Sequence, residues 1–327
     1  MKLIEGENVA EIKRKPEMTL LELSVEATPE AVDWVCTLLA QLDDIRDLQV
    51  SQLQSDRPHP ARTLQMRWYM PYSNNANARV DALTQLLSPV QRTGLISEPE
   101  IYVIEEKPIA LSTQAHAIGE RFVVLPPDVN YQPTRSEEIP LRLETSLAFG
   151  SGFHPATILA LKLIERHVKT GMQAIDLGSG TGILGVAMAK LGAHVLAIDN
   201  DPTAVAATQQ TIEQNQVSQQ VTAKRGSLGQ GSELGHWMGG ELEQRVPIVQ
   251  PPANCKLIVA NILARIHMTL APDYQQILSA ERGLLITAGF TTEFEAEVNA
   301  AFDAAGFDRI DVERSDDWVA LVHRSRG

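Results

Sequence analysis

The chain has 327 residues, 44% hydrophobic and 21% charged, which excludes a mostly disordered protein and leads one to expect two globular domains. No apolar run approaches the roughly 18 residues of a membrane span, and Met1 to Glu7 (MKLIEGE) lacks the apolar block of a signal peptide, so a cytoplasmic protein without a membrane anchor is expected. The 41 Asp and Glu against 28 Lys and Arg give a net charge of −13, which speaks against broad nucleic-acid binding and suits a basic protein partner.

The mixed-charge stretch up to Pro16 reads as a tail. Thr19 to Ala27 alternates apolar and polar, the strand period. Thr28 and Pro29 then form a helix start, and Val32, Val35, Leu38, Leu39 and Leu42 share one face of the helix that follows. A short strand is expected near Leu48 to Leu53, a stronger one at Thr63 to Pro71, a helix at Ala78 to Leu87 and a last strand at Glu100 to Ile104. This β-α-β-β-α-β order predicts a ferredoxin-like α+β domain over residues 1–105. Residues 106–140, with Pro108, Pro126, Pro127, Pro133 and Pro140, read as a connector holding one strand at Arg121 to Leu125. Over 141–327 strands and helices alternate. Strands are expected at Gln173 to Leu177, His194 to Asp199, Leu257 to Asn261 and Gly283 to Ala288. Their apolar runs suit a sheet buried on both faces. Helices are expected at 155–168, 182–191, 202–215, 266–278 and 292–305. Strands near Phe307 to Glu313 and Trp318 to His323 are too close for a parallel crossover and must form an antiparallel hairpin. The fold class is α/β: a doubly wound, mostly parallel Rossmann-like sheet with a C-terminal hairpin. Cys36 and Cys255 are too isolated for a disulfide framework or a zinc site and read as buried thiols, and Trp34 as packing.

Ile175-Asp176-Leu177-Gly178-Ser179-Gly180-Thr181-Gly182 follows a strand and opens a helix. Glycines let the backbone turn sharply and approach a ligand, and the helix start presents free N–H groups. Asp199 closes the next strand, where a carboxylate can accept from ribose hydroxyls. Gly180, Gly182 and Gly185 also match the G-x-G-x-x-G spacing of dinucleotide sites. Against that reading, Asp176 would face a pyrophosphate unfavourably but can hold a cationic amine, Gly185 lies inside the helix, and the chain ends in a hairpin. A triphosphate loop lacks its Lys-Ser or Lys-Thr, and a glycine turn without a ligand would not explain two flanking acidic strand ends. The outline is that of a class I S-adenosylmethionine-dependent methyltransferase.

Leu147 to Thr157 (LAFGSGFHPAT), Ile258 to Ala264 (IVANILA), the IDLGSGTGIL loop and Ala197 to Pro202 together resemble the PrmA family. The AFGxGxHPxT segment is the specific part. The resemblance implies methylation of ribosomal protein L11 with S-adenosylmethionine, and a small N-terminal domain for substrate recognition. It also implies cofactor contacts from Thr157, Gly178, Asp199 and Asn261, to which the reading of the glycine loop adds Asp176 and Gly180. No direct nucleic-acid partner is expected.

Asn261 can accept a hydrogen bond from the substrate amine and is a catalytic candidate. His154, before Pro155 at a helix start, is either a base kept neutral by the helix dipole or a brace for the loop. Phe149 is a stacking candidate. The connector Glu106 to Ile118 lacks the aromatics usual in the family, and Gly226 to Asn254 forms a long glycine-rich stretch in which Trp237 and Met238 are partner-contact candidates. These departures leave room for a paralogue acting on another amine. A non-catalytic cofactor-binding module is the third reading.

Overall fold

The computed structural model describes residues 20–39, 42, 46–53, 62–72, 76–104, 115–127, 129–143, 152–229, 231 and 246–327. The N-terminal unit runs β1 (Leu20–Ala27), α1 (Pro29–Leu39), β2 (Arg46–Gln52), β3 (Leu64–Pro71), α2 (Ala76–Arg92) and β4 (Glu100–Ile104). Its sheet has the order β2-β3-β1-β4, every neighbouring pair antiparallel. The alternation in β1 turns Leu21, Leu23, Val25 and Ala27 onto a core shared with Val32, Val35 and Leu39 of α1. Thr28 caps α1, its Oγ1 accepting from the Ala31 N–H at 3.2 Å. Helix α2 extends five residues beyond the expected Leu87 and carries Pro89 in its last turn. Burial of Leu83 and Leu87, with Val90 packed beside them, outweighs the one hydrogen bond that the proline removes.

A three-stranded sheet follows: β5 (His116–Ile118), β6 (Phe122–Leu125) and β7 (Ile139–Arg142). The expected connector ending at residue 140 is therefore part of a packed unit from His116 onward. Ile118, Phe122, Val124, Ile139 and Leu141 share one core with the helices that follow. Strand β6 falls where a strand was expected, at Arg121 to Leu125; the prolines obscured β5 and β7 because they punctuate the sequence at intervals too small for a periodicity to show. Asn215 pins β7, accepting from the Arg142 N–H at 2.8 Å and donating to the Arg142 carbonyl at 2.6 Å.

The remaining elements are α3 (Pro155–His167), β8 (Gln173–Leu177), α4 (Ile183–Lys190), β9 (His194–Asp199), α5 (Pro202–Gln214), β10 (Val221–Arg225), β11 (Cys255–Asn261), α6 (Ala264–Leu278), β12 (Leu284–Thr291), α7 (Glu295–Ala304), β13 (Phe307–Ser315) and β14 (Trp318–Ser325). They build a seven-stranded sheet of order β10-β9-β8-β11-β12-β14-β13. The first five strands are parallel, and β14 runs antiparallel to both of its neighbours. Strand β10 was not expected: it is an edge strand whose alternate residues meet solvent, so it shows no apolar run. One core packs α3 and α4 on one face, and a second packs α6 and α7 on the other. Among the described residues no helix is long and apolar enough to cross a membrane.

The ladder between β12 and β14 shifts register between Thr287 and Phe290. There Gly289 has φ +92°, and a Cβ on it would lie 2.6 Å from both Ile262 N and Ile262 O. Neither backbone atom can yield without moving the end of β11. Gly289→Ala is expected to cost about 1–3 kcal/mol, read as a lower urea midpoint at unchanged m-value.

Candidate active site

Strand order reverses between β8 and β11. The chain leaving β8 enters α4 on one face, and the chain leaving β11 enters α6 on the other. Such a switch point opens a crevice beyond the strand C-termini. Thr157, Asp176, Gly178, Gly180, Asp199 and Asn261 lie at these strand ends and the start of α3, whereas His154 is buried as the N-cap of α3.

The glycine loop leaves β8 and leans toward β9. The Gly178 and Ser179 N–H groups donate to the Ile198 carbonyl at 2.8 and 3.1 Å. Gly178, Gly180 and Gly182 have φ of +74°, +54° and +84°, a run of left-handed backbone that favours glycine. The Gly180 N–H donates to Asp199 Oδ2 at 2.9 Å, and the Asp201 N–H to Asp199 Oδ1 at 3.0 Å. Thr208 of α5 supports the loop from behind. Its hydroxyl donates to the Gly180 carbonyl at 3.0 Å and lies 2.8 Å from Ser179 Oγ. A Cβ at Gly182 would press on Thr208 at 2.9 Å. Sequence reasoning missed Thr208. Its signal was a polar residue four positions after Ala204 and four before Ile212, on the helix face that packs inward.

Asp176 is fully buried. Its Oδ2 accepts from the Gly185 N–H at 2.8 Å, while Oδ1 has no partner. Burial, with the Asp199 charge adding to it, pushes the Asp176 carboxyl up to about 7. Burial likewise raises Asp199. Across the switch point, Asn261 at the end of β11 donates through Nδ2 to Thr157 Oγ1 of α3 at 3.2 Å. Both side chains are buried, and Asn261 Oδ1 has no donor.

His154 is the N-cap of α3: its Nδ1 accepts from the Ala156 N–H at 3.1 Å. Burial, rather than the helix dipole, lowers its pKa to about 4 and keeps it neutral. Its ring stands edge-on to Trp318, centroids 4.4 Å apart. Cys36 and Cys255 are buried thiols, both raised by burial, Cys255 to about 11. Trp34 is half-buried in α1. Phe149, Trp237 and Met238 lie outside the described residues.

Two buried carboxylates would repel a pyrophosphate. Two unpaired buried acceptors, Asp176 Oδ1 and Asn261 Oδ1, instead suit a ligand bearing an ammonium group and other donors. That is the polar character of S-adenosylmethionine. Sheet order and site chemistry define a class I S-adenosylmethionine-dependent methyltransferase.

The comparisons narrow this class. A family model described as Ribosomal protein L11 methyltransferase (PrmA) matches residues 112–326. Proteins named Ribosomal protein L11 methyltransferase are 38% identical in Chloroflexus aurantiacus, over 93% of this chain and 97% of that protein. In Herpetosiphon aurantiacus the identity is 36%, over 94% of this chain and 99% of that protein. The crystal structure of a ribosomal protein L11 methylase from Lactobacillus delbrueckii subsp. bulgaricus is 28% identical with a TM-score of 0.53, covering 65% of this chain and 99% of that one. The chain belongs to the ribosomal protein L11 methyltransferase (PrmA) family.

The buried acid yields a pH prediction for the ligand-free protein. Unfolded, the Asp176 carboxyl releases its proton near 3.8; folded, it holds it to about 7. Between those values the folded state binds the extra proton, so stability falls as pH rises, by up to about 1.4 kcal/mol per pH unit. Asp176→Asn keeps an acceptor for Gly185 and removes that slope. Urea melts from pH 4.5 to 7.5 should show the wild-type curve falling relative to the variant; parallel curves would refute the assignment.

Proposed function

We propose that this chain methylates amines of ribosomal protein L11, Lys side chains or the N-terminal amine, in the cytoplasm. The observation that carries the reading is the Thr157–Asn261 contact, which leaves a buried Asn261 Oδ1 in want of a donor. An unmet buried acceptor costs about 1–3 kcal/mol, and an amine N–H removes that cost. When bound, S-adenosylmethionine supplies an electrophilic methyl group on a sulfonium that is already a good leaving group.

Asp199 would accept from the ribose hydroxyls of this cofactor, the Gly178 and Gly180 backbone would let it approach closely, and Asp176 would offer its unpaired oxygen to its cationic amine. Thr157 fixes the Asn261 amide. A Lys amine must reach the site neutral, at a cost of about 4–5 kcal/mol at pH 7. Asn261 accepts one of its N–H groups and aims the lone pair. The amine lone pair would take the methyl group as the C–S bond breaks and the sulfur leaves as a neutral thioether, and the proton of the methylated amine would then pass to water. Most of the acceleration is in-line positioning. In this reading His154 acts as a positioning residue rather than a base, because its Nδ1 is committed to the α3 cap. Residues 1–105 recognise the protein substrate, and cofactor binding resides in the unit that begins near residue 112, where the family match begins.

Calorimetry should detect S-adenosylhomocysteine binding to the wild type. Loss of charge-assisted bonds in Asp199→Ala is expected to cost about 1.5–3 kcal/mol, or 10- to 150-fold in affinity, and Gly178→Asp should abolish binding. Asn261→Ala should reduce kcat more than it reduces cofactor affinity. With labelled S-adenosylmethionine and ribosomes lacking their own methylation, label is expected on L11. Label confined to another protein of a cell extract would point to a paralogue, and binding without any transfer to a non-catalytic module. Residues 112–327 alone are expected to keep the S-adenosylhomocysteine affinity and lose activity on the protein.

A further inference from the structure

Asn261 is the last residue of β11, and its ladder partner is Ala288 of β12. One residue on, the Ile262 N–H donates to the Ala288 carbonyl at 3.0 Å. The same carbonyl accepts a second bond, at 2.9 Å, from Nε2 of His267, which therefore carries its proton there. A carbonyl oxygen has two lone pairs and can serve both donors. His267 lies in the first turn of α6, and helical side chains lean back toward the helix start, so its ring reaches the strand ends. The N-cap residue of α6 is Leu263, whose side chain cannot accept from the first-turn N–H groups. His267 thus supplies a polar tie between the start of α6 and the sheet. The β12–β14 ladder shifts register just here, between Thr287 and Phe290, so the hold from β11 and α6 sets the place of Ala288. The imidazole is fully buried, walled by Phe290, Phe302 and Tyr274 with ring centroids 5.5, 6.3 and 6.4 Å away. An apolar ring would fill that space without stranding Nδ1, which makes no hydrogen bond among the described residues. What the imidazole adds is the donor. Burial lowers its pKa to about 4, which keeps the ring neutral.

We propose that His267 is a positioning residue for methyl transfer: by sharing the Ala288 carbonyl with the Ile262 N–H, it closes the turn from β11 into α6 and fixes the direction in which Asn261 presents its carboxamide oxygen to the amine. The proposal rests on the reading of Asn261 as the acceptor of that amine. Two anchors then define Asn261. Thr157 holds the amide nitrogen at 3.2 Å, which sets the rotation of the side chain. The shared carbonyl sets the backbone from which the side chain springs. Without the imidazole, the Ile262 bond still pairs the strands, but the first turn of α6 is free to tilt on the sheet and carries the Asn261–Leu263 turn with it. In-line transfer is sensitive to such a shift, since a misplacement of about 1 Å can cost roughly a hundredfold in rate. Asp176, Gly178, Gly180 and Asp199 stand on β8, β9 and the loop between β8 and α4, so the loss falls on the chemical step rather than on cofactor binding.

The test uses the full chain and the variants His267→Phe, His267→Gln, Asn261→Ala and the double variant Asn261→Ala/His267→Phe. Each is assayed for kcat and KM on L11, for S-adenosylhomocysteine affinity and for its urea midpoint. His267→Phe keeps a ring and loses the donor. Its kcat should fall about tenfold, with KM and S-adenosylhomocysteine affinity within about twofold of the wild type. His267→Gln, whose amide N–H reaches the place of Nε2, should recover most of the loss. In the Asn261→Ala background, His267→Phe should slow the enzyme no further. A general loosening of the fold would instead slow both backgrounds equally, and that result overturns the proposal. So does His267→Phe at the wild-type kcat, or His267→Gln as slow as His267→Phe. His267→Leu repeats the comparison with a smaller apolar side chain if His267→Phe does not fold. Long-range ¹H–¹⁵N correlation spectra of ring-labelled histidine, with His267 assigned by its absence in His267→Gln, read the tie without any reaction. A neutral ring protonated at Nε2 is expected at neutral pH; a ring protonated at Nδ1, or at both nitrogens, also overturns the proposal. Asn261→Ala at the wild-type kcat, beside the expected ring, would uphold the tie to Ala288 and refute the reading of Asn261 on which the proposal rests.

Discussion

The switch point between β8 and β11 is the constraint on which the rest depends. Neighbouring parallel strands that send their chains to opposite faces of a sheet cannot close the gap between their ends. Whatever the chain places there meets in one crevice: the glycine loop and Asp176 from β8, Asp199 from β9, Asn261 from β11 and Thr157 from α3. The two cores on either face of the sheet hold these ends rigid. A site built on strand ends keeps its geometry better than one built on loops.

The electrostatics of the crevice follow from that rigidity. Asp176 and Asp199 end adjacent strands in a place with little water, and burial raises both. Backbone N–H groups of Gly180, Gly185 and Asp201 offset part of the cost. What they leave unmet is one oxygen of Asp176, and across the gap one oxygen of Asn261. A cationic, donor-rich ligand relieves both deficits, whereas an anionic one aggravates them. Asp176 and the C-terminal hairpin separate this site from that of a dinucleotide enzyme sharing its glycine spacing.

Support for the site comes from side chains that touch none of its reacting groups. Thr208 holds the glycine loop, Gly289 permits the close approach of β12 to Ile262, and His154 caps the helix that carries Thr157. His267 adds a second clasp, its Nε2 2.9 Å from the Ala288 carbonyl that also accepts from the Ile262 N–H. Preorganisation of this kind is where an enzyme gains most when the leaving group needs no activation.

Local order was legible in the sequence because it is written in short-range patterns. Period-two and period-three-to-four alternation marked most strands and helices, the glycines marked the loop, and the close spacing of the last two strands required a hairpin. Patterns failed where the signal was weak for a physical reason. Strand β10 is an exposed edge, β5 and β7 are short and set among prolines, and α2 runs through a proline because its apolar face is buried. Local spacing was enough to show which residues end which strands, and hence the acids, the glycines and the asparagine available to a ligand. Packing between distant segments is what brings Thr157 to Asn261 across 104 residues of chain, buries Asp176 deeply enough to hold a proton near neutrality, and stands His154 edge-on to Trp318. Those facts depend on strand order and on water exclusion, which arise from packing between distant segments and leave no mark on the local spacing of residues.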